Sequence, residues 1–221
     1  MKKHLTAGIG LLILFNVFTI LVAFVDVKAI GRQNTDVGFA SVNEAFHNFT
    51  GEHETLFEIT EKAGYLAAVP ILIFGLIGLM QLIRGKSLKK VDADILLLGG
   101  FYVVLGICYV VFEKIVINYR PPYAGETVLE PSYPSSHTLL FVAVMVTAVM
   151  QVIARVQKKT ARIPLILCCV AAALLVVIGR AVCGVHWFTD ILGGILLAAS
   201  LCWIYYALAF AGKKQKEETN E

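Results

Sequence analysis

Near the C-terminal end, Gly179-Arg180-Ala181-Val182-Cys183-Gly184-Val185-His186-Trp187-Phe188-Thr189-Asp190 lies between two long apolar segments. Ionisable side chains at membrane depth are expensive, so a cluster of them marks a functional site by default. His186 and Asp190 are four residues apart, a spacing that on a helix puts both side chains on one face. A carboxylate on one imidazole nitrogen fixes the tautomer and leaves the other nitrogen basic and aimed. Arg180 supplies a permanent cation with a planar donor fork suited to phosphate. Upstream, Pro134-Ser135-Ser136-His137 brings a second histidine beside small polar residues at the start of another apolar segment, and Arg120 adds a second guanidinium. Two histidines, an aspartate and two arginines at matching depth point to phosphoryl chemistry.

The elements that must position these groups are membrane-spanning helices. The chain has 221 residues, 58% of them hydrophobic and 16% charged, with a mean hydropathy of +0.76. That composition excludes an ordinary soluble domain. Six apolar runs, at about 5–26, 64–83, 94–112, 138–154, 163–179 and 188–211, are long enough or nearly so to cross a hydrocarbon layer of ~30 Å. The reading is an all-α fold: a six-transmembrane-helix bundle forming one domain over 1–221, with a basic tail at 212–221. The first run follows Lys2 and Lys3, as a signal peptide would, but its length and the lack of a small-x-small site mark it as a retained helix.

Charge sets the expected orientation. With the N-terminus inside, 13 of the 19 Lys and Arg residues fall on the cytoplasmic side, which places both termini in the cytoplasm. Segments 114–122, 134–137 and 180–190 then all meet at the extracytoplasmic face of a multi-pass protein of the cell membrane. Nothing points to nucleic acid. Cys108, Cys168, Cys169, Cys183 and Cys202 show neither zinc-type spacing nor a disulfide framework.

Between the first two spans, Ser41-Val42-Asn43-Glu44 reads as a capping box, with Phe39, Val42, Phe46 and Phe49 at helical spacing and Gly51 as the stop. This predicts a short amphipathic helix that either lies on the outer leaflet or covers the bundle. Thr55-Leu56-Phe57-Glu58 predicts a cap leading into the second span. Pro121 and Pro122 end the third span, and the rest of 121–136, with Gly125, Pro131 and Pro134, reads as a rigid loop. Ser135 or Ser136 is a good N-cap, leaving backbone N–H groups for an anion. Glu126 and Glu130 read as isolated, and Gly193-Gly194 predicts close helix approach.

These residues resemble the type 2 phosphatidic acid phosphatase (PAP2) family of membrane phosphatases, whose pattern is Lys-x6-Arg-Pro, Pro-Ser-Gly-His and Ser-Arg-x5-His-x3-Asp. The third motif stands here as Gly179-Arg180-x5-His186-x3-Asp190, the second as Pro134-Ser135-Ser136-His137, and the first keeps Arg120-Pro121. The first departs most. Lys114 precedes Arg120 by one residue too few, so on a helix the two differ by about 120° instead of nearly eclipsing. Either the helix is irregular, or Lys114 reaches round, or this chain does without that lysine and Lys114 anchors the helix end at the interface. Gly179 lacks the family's serine hydroxyl, for which Ser135 and Ser136 can compensate.

The resemblance implies hydrolysis of a phosphomonoester or diphosphate through a phosphohistidine, with no metal and no cofactor. His186 would attack phosphorus and Asp190 would orient it. Arg120, Arg180, Ser135, Ser136 and Lys114 would bind phosphate, and His137 would protonate the leaving oxygen and then activate water. The substrate would be a lipid phosphate: undecaprenyl diphosphate, phosphatidylglycerophosphate or phosphatidate, with the first or a broad specificity expected. Two other readings stay open: a membrane phosphotransferase using the same phosphohistidine, and a non-catalytic lipid transporter or degenerate relative.

Overall fold

The computed structural model describes residues 1–121 and 128–212. The Pro122–Gly125 part of the expected rigid loop, Glu126 and the basic tail from Lys213 lie outside them. Among the described residues, six helices are long and apolar enough to cross a membrane. They are α1 (Lys2–Phe24), the second half of a continuous helical run over Glu54–Gly85, α5 (Ala93–Lys114), α6 (Ser136–Arg155), α7 (Lys159–Val182) and α8 (Phe188–Ala209). In the second run, α3 (Glu54–Gly64) passes through a 3-10 turn at Tyr65–Ala67 into α4 (Ala68–Gly85). Hydropathy marks only the part of a helix that meets lipid. That is why the second helix begins ten residues before the expected 64, and why α7 runs past Gly179 to carry Arg180 on its last turn.

The bundle is built around α6 and α8. Half or more of their apolar windows is buried, 50% and 56%, against 11–22% for the other four. Phe141, Val144, Leu197 and Ala198 pack in the core with Leu98 of α5, while α1 lies along α8 and α7 along α6. Leu72, Ile83, Val103, Ile107, Leu175 and Ile178 point outward, as side chains that face lipid must. The expected close approach at Gly193-Gly194 is made. A Cβ on Gly194 would stand 3.0 Å from the Ser135 carbonyl oxygen, and one on Gly193 2.6 Å from the Tyr133 ring. This brings the N-terminal ends of α6 and α8 together.

Between α1 and α3 the chain makes a small cap. Strands β1 (Lys28–Ile30) and β2 (Thr35–Val37) pair antiparallel, with Lys28 opposite Val37 and Ile30 opposite Thr35. Three-residue strands carry too little alternation to be read from sequence. What holds them is tertiary: Ile30 and Val37 bury against Trp187. The amphipathic helix is present as α2 (Ala40–Thr50), ending before Gly51. Its capping box is not made. Phe39 is the N-cap without a side-chain bond, and the Ser41 N–H donates instead to Asp26 Oδ2 at 2.8 Å. Asp26 is held well below the usual carboxylate range, to about 2, by Lys28 first and then by Ser41. A carboxylate from another segment has taken the capping role of Glu44. The expected apolar stripe divides as well: Phe46 packs at a tilt against Phe188, whereas Val42 and Phe49 are exposed. The second cap also differs, since α3 starts at Glu54 behind His53.

At the other end of the bundle Arg155 bridges Asp92 (3.1 Å) and the buried Asp94 (2.7 Å). Gln151 donates to the Tyr205 hydroxyl at 2.5 Å, which donates to the Asp94 carbonyl at 3.0 Å. This network ties α5, α6 and α8 where they leave the bilayer. None of the five cysteines is in a disulfide.

Candidate active site

All three polar segments meet at the end of the bundle that carries the cap. His186 precedes α8 instead of lying on it: Trp187 is the N-cap and Asp190 the third helical residue. The pair therefore meets through cap geometry, not along a helix face. Asp190 Oδ2 accepts the Trp187 N–H at 2.9 Å and stands 3.8 Å from His186 Nδ1, an electrostatic contact longer than a hydrogen bond. Asp190 is fully buried, and its Oδ1 accepts from Asn118 Nδ2 at 3.2 Å.

The tautomer of His186 follows from its other neighbour. Arg180 NH2 lies 3.2 Å from His186 Nε2. A guanidinium can only donate, so Nε2 bears the lone pair and the ring proton is on Nδ1, toward Asp190. Burial above all keeps the imidazole below its ordinary value; Asp190 opposes this, and Arg180 and Arg120 reinforce it. The ring is therefore neutral at physiological pH, with the Nε2 lone pair turned toward Arg180.

Arg180 is 2% exposed. The Phe57 ring lies 5.2 Å from its Cζ, its NH1 donates to Glu61 Oε2 at 3.0 Å, and its Nε has no hydrogen-bond partner among the described residues. The other oxygen of Glu61 is 3.3 Å from His137 Nε2. Arg120 is placed by an antiparallel stretch: its N–H donates to the Glu130 carbonyl at 3.0 Å, and the Ser132 N–H to Asn118 at 2.9 Å. Its guanidinium pairs with the Glu130 carboxylate.

Ser135 is the buried N-cap of α6, and its hydroxyl accepts the Thr138 N–H at 3.4 Å, which leaves the O–H hydrogen to donate. Ser136 and His137 open the helix, where backbone N–H groups have no intrahelical acceptor. Lys114 is exposed at the last residue of α5, and no hydrogen bond joins it to the histidines or arginines. The structure thus brings together His186, Asp190, Arg180, His137, Arg120, Ser135 and Ser136, and leaves Lys114 apart.

Two site residues had no signal in the sequence. Asn118 donates to Asp190 and accepts the Gly38 N–H at 3.3 Å. Glu61, on α3, touches both Arg180 and His137 across more than 70 residues of chain. Gly179 explains how α3 reaches the site: a Cβ there would meet Thr60 Cγ2 at 2.4 Å. The glycine that departs from the family's serine is the contact that admits α3.

A family model described as the PAP2 superfamily matches residues 96–214, more than half of the chain. The chain belongs to the PAP2 superfamily. The match spans α5 to α8 and includes all three motifs; the cap, α3 and α4 precede it. Membership makes the chain a phosphoric ester hydrolase of the membrane. Among solved structures, it is similar to a transmembrane PAP2 type phosphatidylglycerolphosphate phosphatase from Bacillus subtilis. The likeness has a TM-score of 0.59 at 18% identity and covers 95% of this chain and 96% of that one. At that identity the likeness is one of fold. No curated protein matches the chain.

Proposed function

We propose that this PAP2 chain hydrolyses lipid phosphates through a phosphohistidine, with its active site on the extracytoplasmic face and both termini in the cytoplasm. The observation that carries the reading is the Arg180 NH2 to His186 Nε2 contact of 3.2 Å. It leaves a lone pair on the nitrogen that faces Arg180 and turns Nδ1–H toward Asp190. In the first step Nε2 attacks phosphorus in line, an N–P bond forms, and the bond to the lipid oxygen breaks. Arg180 and Arg120 release their carboxylates and hold the equatorial oxygens, where charge spreads in the transition state. His137 gives a proton to the leaving oxygen. It then takes one from water, whose oxygen attacks phosphorus and frees the imidazole as inorganic phosphate forms. A positioned acid–base of this kind is typically worth about 10²–10⁴ in rate. Asp190 keeps the Nδ1 proton in place while the ring carries phosphate.

A lipid fits because the site opens at the end of a helical bundle, beside apolar surface that faces the bilayer. The Bacillus subtilis protein of like fold is named for phosphatidylglycerolphosphate, so that lipid joins undecaprenyl diphosphate and phosphatidate as the substrates to offer. Phosphate release is measured from all three by detergent-purified protein in EDTA, with His186→Ala alongside. Release by the native chain, lower by at least about 10³-fold in the variant as expected for loss of a nucleophile, supports the reading. Equal release by both overturns it. Orientation is read in cells: a C-terminal green fluorescent fusion should fluoresce, and a C-terminal alkaline phosphatase fusion should stay inactive.

A further inference from the structure

The groups assigned to phosphate already hold an anion in the structure. Glu61 Oε2 is 3.0 Å from Arg180 NH1, and Oε1 is 3.3 Å from His137 Nε2. The first contact belongs to the cation that would hold a phosphoryl oxygen, the second to the acid that would meet the leaving oxygen. A carboxylate presents two oxygens side by side, as one edge of a phosphate does, and competes for the same guanidinium fork. Two anions cannot share that position without strong repulsion. Arg180 is 2% exposed with its Cζ over the Phe57 ring, whereas the Glu61 side chain is 40% exposed. The partner free to move is therefore Glu61.

We propose that Glu61 is a built-in competitor for phosphate. It occupies the phosphate position in the resting enzyme, is displaced toward solvent by the substrate's phosphate, and returns to help expel the inorganic phosphate product. This rests on the assignment of Arg180 to phosphate. The phosphate monoester brings about 1.5 to 2 negative charges against one from Glu61, enough to take the arginine. Meanwhile the resting contact keeps the buried Arg180 neutralised when no substrate is present. The close packing of Thr60 on Gly179 is what holds the neighbouring Glu61 within reach.

Binding of inorganic phosphate to the full-length protein in detergent is measured by calorimetry for the native chain, Glu61→Gln, Glu61→Asp and Arg180→Ala. Removing the competitor in Glu61→Gln should tighten binding by about ten-fold, the value for a contact worth 1.4 kcal/mol. Glu61→Asp keeps the charge but is one methylene too short to reach both partners, so it too should bind tighter than the native chain, which keeps the test alive if the glutamine variant misfolds. Arg180→Ala should lose binding. In turnover assays Glu61→Gln should lower KM and the phosphate inhibition constant together. Unchanged or weaker phosphate binding in both Glu61 variants overturns the proposal. So does a fall in kcat with KM and inhibition constant unchanged, which would make Glu61 a residue that orients His137. Because calorimetry needs no turnover, a chain that hydrolyses none of the three lipids yet shows the tightening would sink the phosphohistidine reading for those lipids and leave the competition between Glu61 and phosphate standing.

Discussion

His186 is defined by what surrounds each ring nitrogen. Arg180 at Nε2 and Asp190 beyond Nδ1 select one tautomer, and burial keeps the ring uncharged. The sign of the pH effect follows. Folded His186 titrates below the ordinary 6.5. As pH falls through about 6.5, the unfolded chain therefore takes up a proton that the folded chain refuses. The unfolded state then binds more protons, so stability contributed at this position is full above 6.5 and declines as the pH drops below it. Nitrogen-15 histidine spectra of the native chain, minus those of His186→Gln, should show a titration midpoint under 6.5. Melting temperatures should show the native chain losing stability relative to the variant on acidification. A midpoint at or above 6.5 would contradict the burial argument. These residues were legible in sequence by type and spacing. So was their pairing; the geometry of it was not, because His186 and Asp190 meet across a helix cap, which depends on where α8 begins.

At the scale of elements, α3 decides the character of the site. It was legible only as a helical lead into the second span, since its residues are polar and the hydropathy signal starts later. Its packing on α7 needs the bare backbone of Gly179 and carries Glu61 to Arg180. Gly179→Ser would restore the family's serine yet place its Cβ 2.4 Å from Thr60 Cγ2. Overpacking of this kind costs about 1–3 kcal/mol. The variant should melt lower and lose activity. Thr60→Ser removes the colliding methyl while keeping the hydroxyl that donates to Leu56 (3.0 Å), so the double variant should recover most of both. Failure of the second substitution to rescue would place the harm elsewhere than in the α3–α7 contact. The cap makes the same point. The capping box predicted from Ser41 and Glu44 lost to Asp26, a residue from outside the helix that local sequence rules do not weigh.

At the scale of the molecule, two polar layers close the two ends of an apolar bundle. One is the site; the other is Arg155 with Asp92 and Asp94. Breaking a buried ion pair by removing one partner costs about 3–5 kcal/mol, with the exposed Asp92 contact adding little. Arg155→Ala should therefore lower thermal stability in detergent by several degrees, while phosphate binding at the far end of the bundle stays near native. A variant that binds phosphate as poorly as Arg180→Ala would show that the two ends are coupled. The sequence by itself determined that this is an all-α bundle of six spans, and which histidines, aspartate and arginines gather at one end. Long apolar runs and rare intramembrane charges are local signals that burial in lipid makes unambiguous. Only the tertiary structure decided that Glu61 and Asn118 belong to the site, that Lys114 stands apart, and that Glu130 holds Arg120. Those outcomes turn on side-chain directions and on contacts between segments far apart in the chain, and single-sequence periodicity carries no term for either.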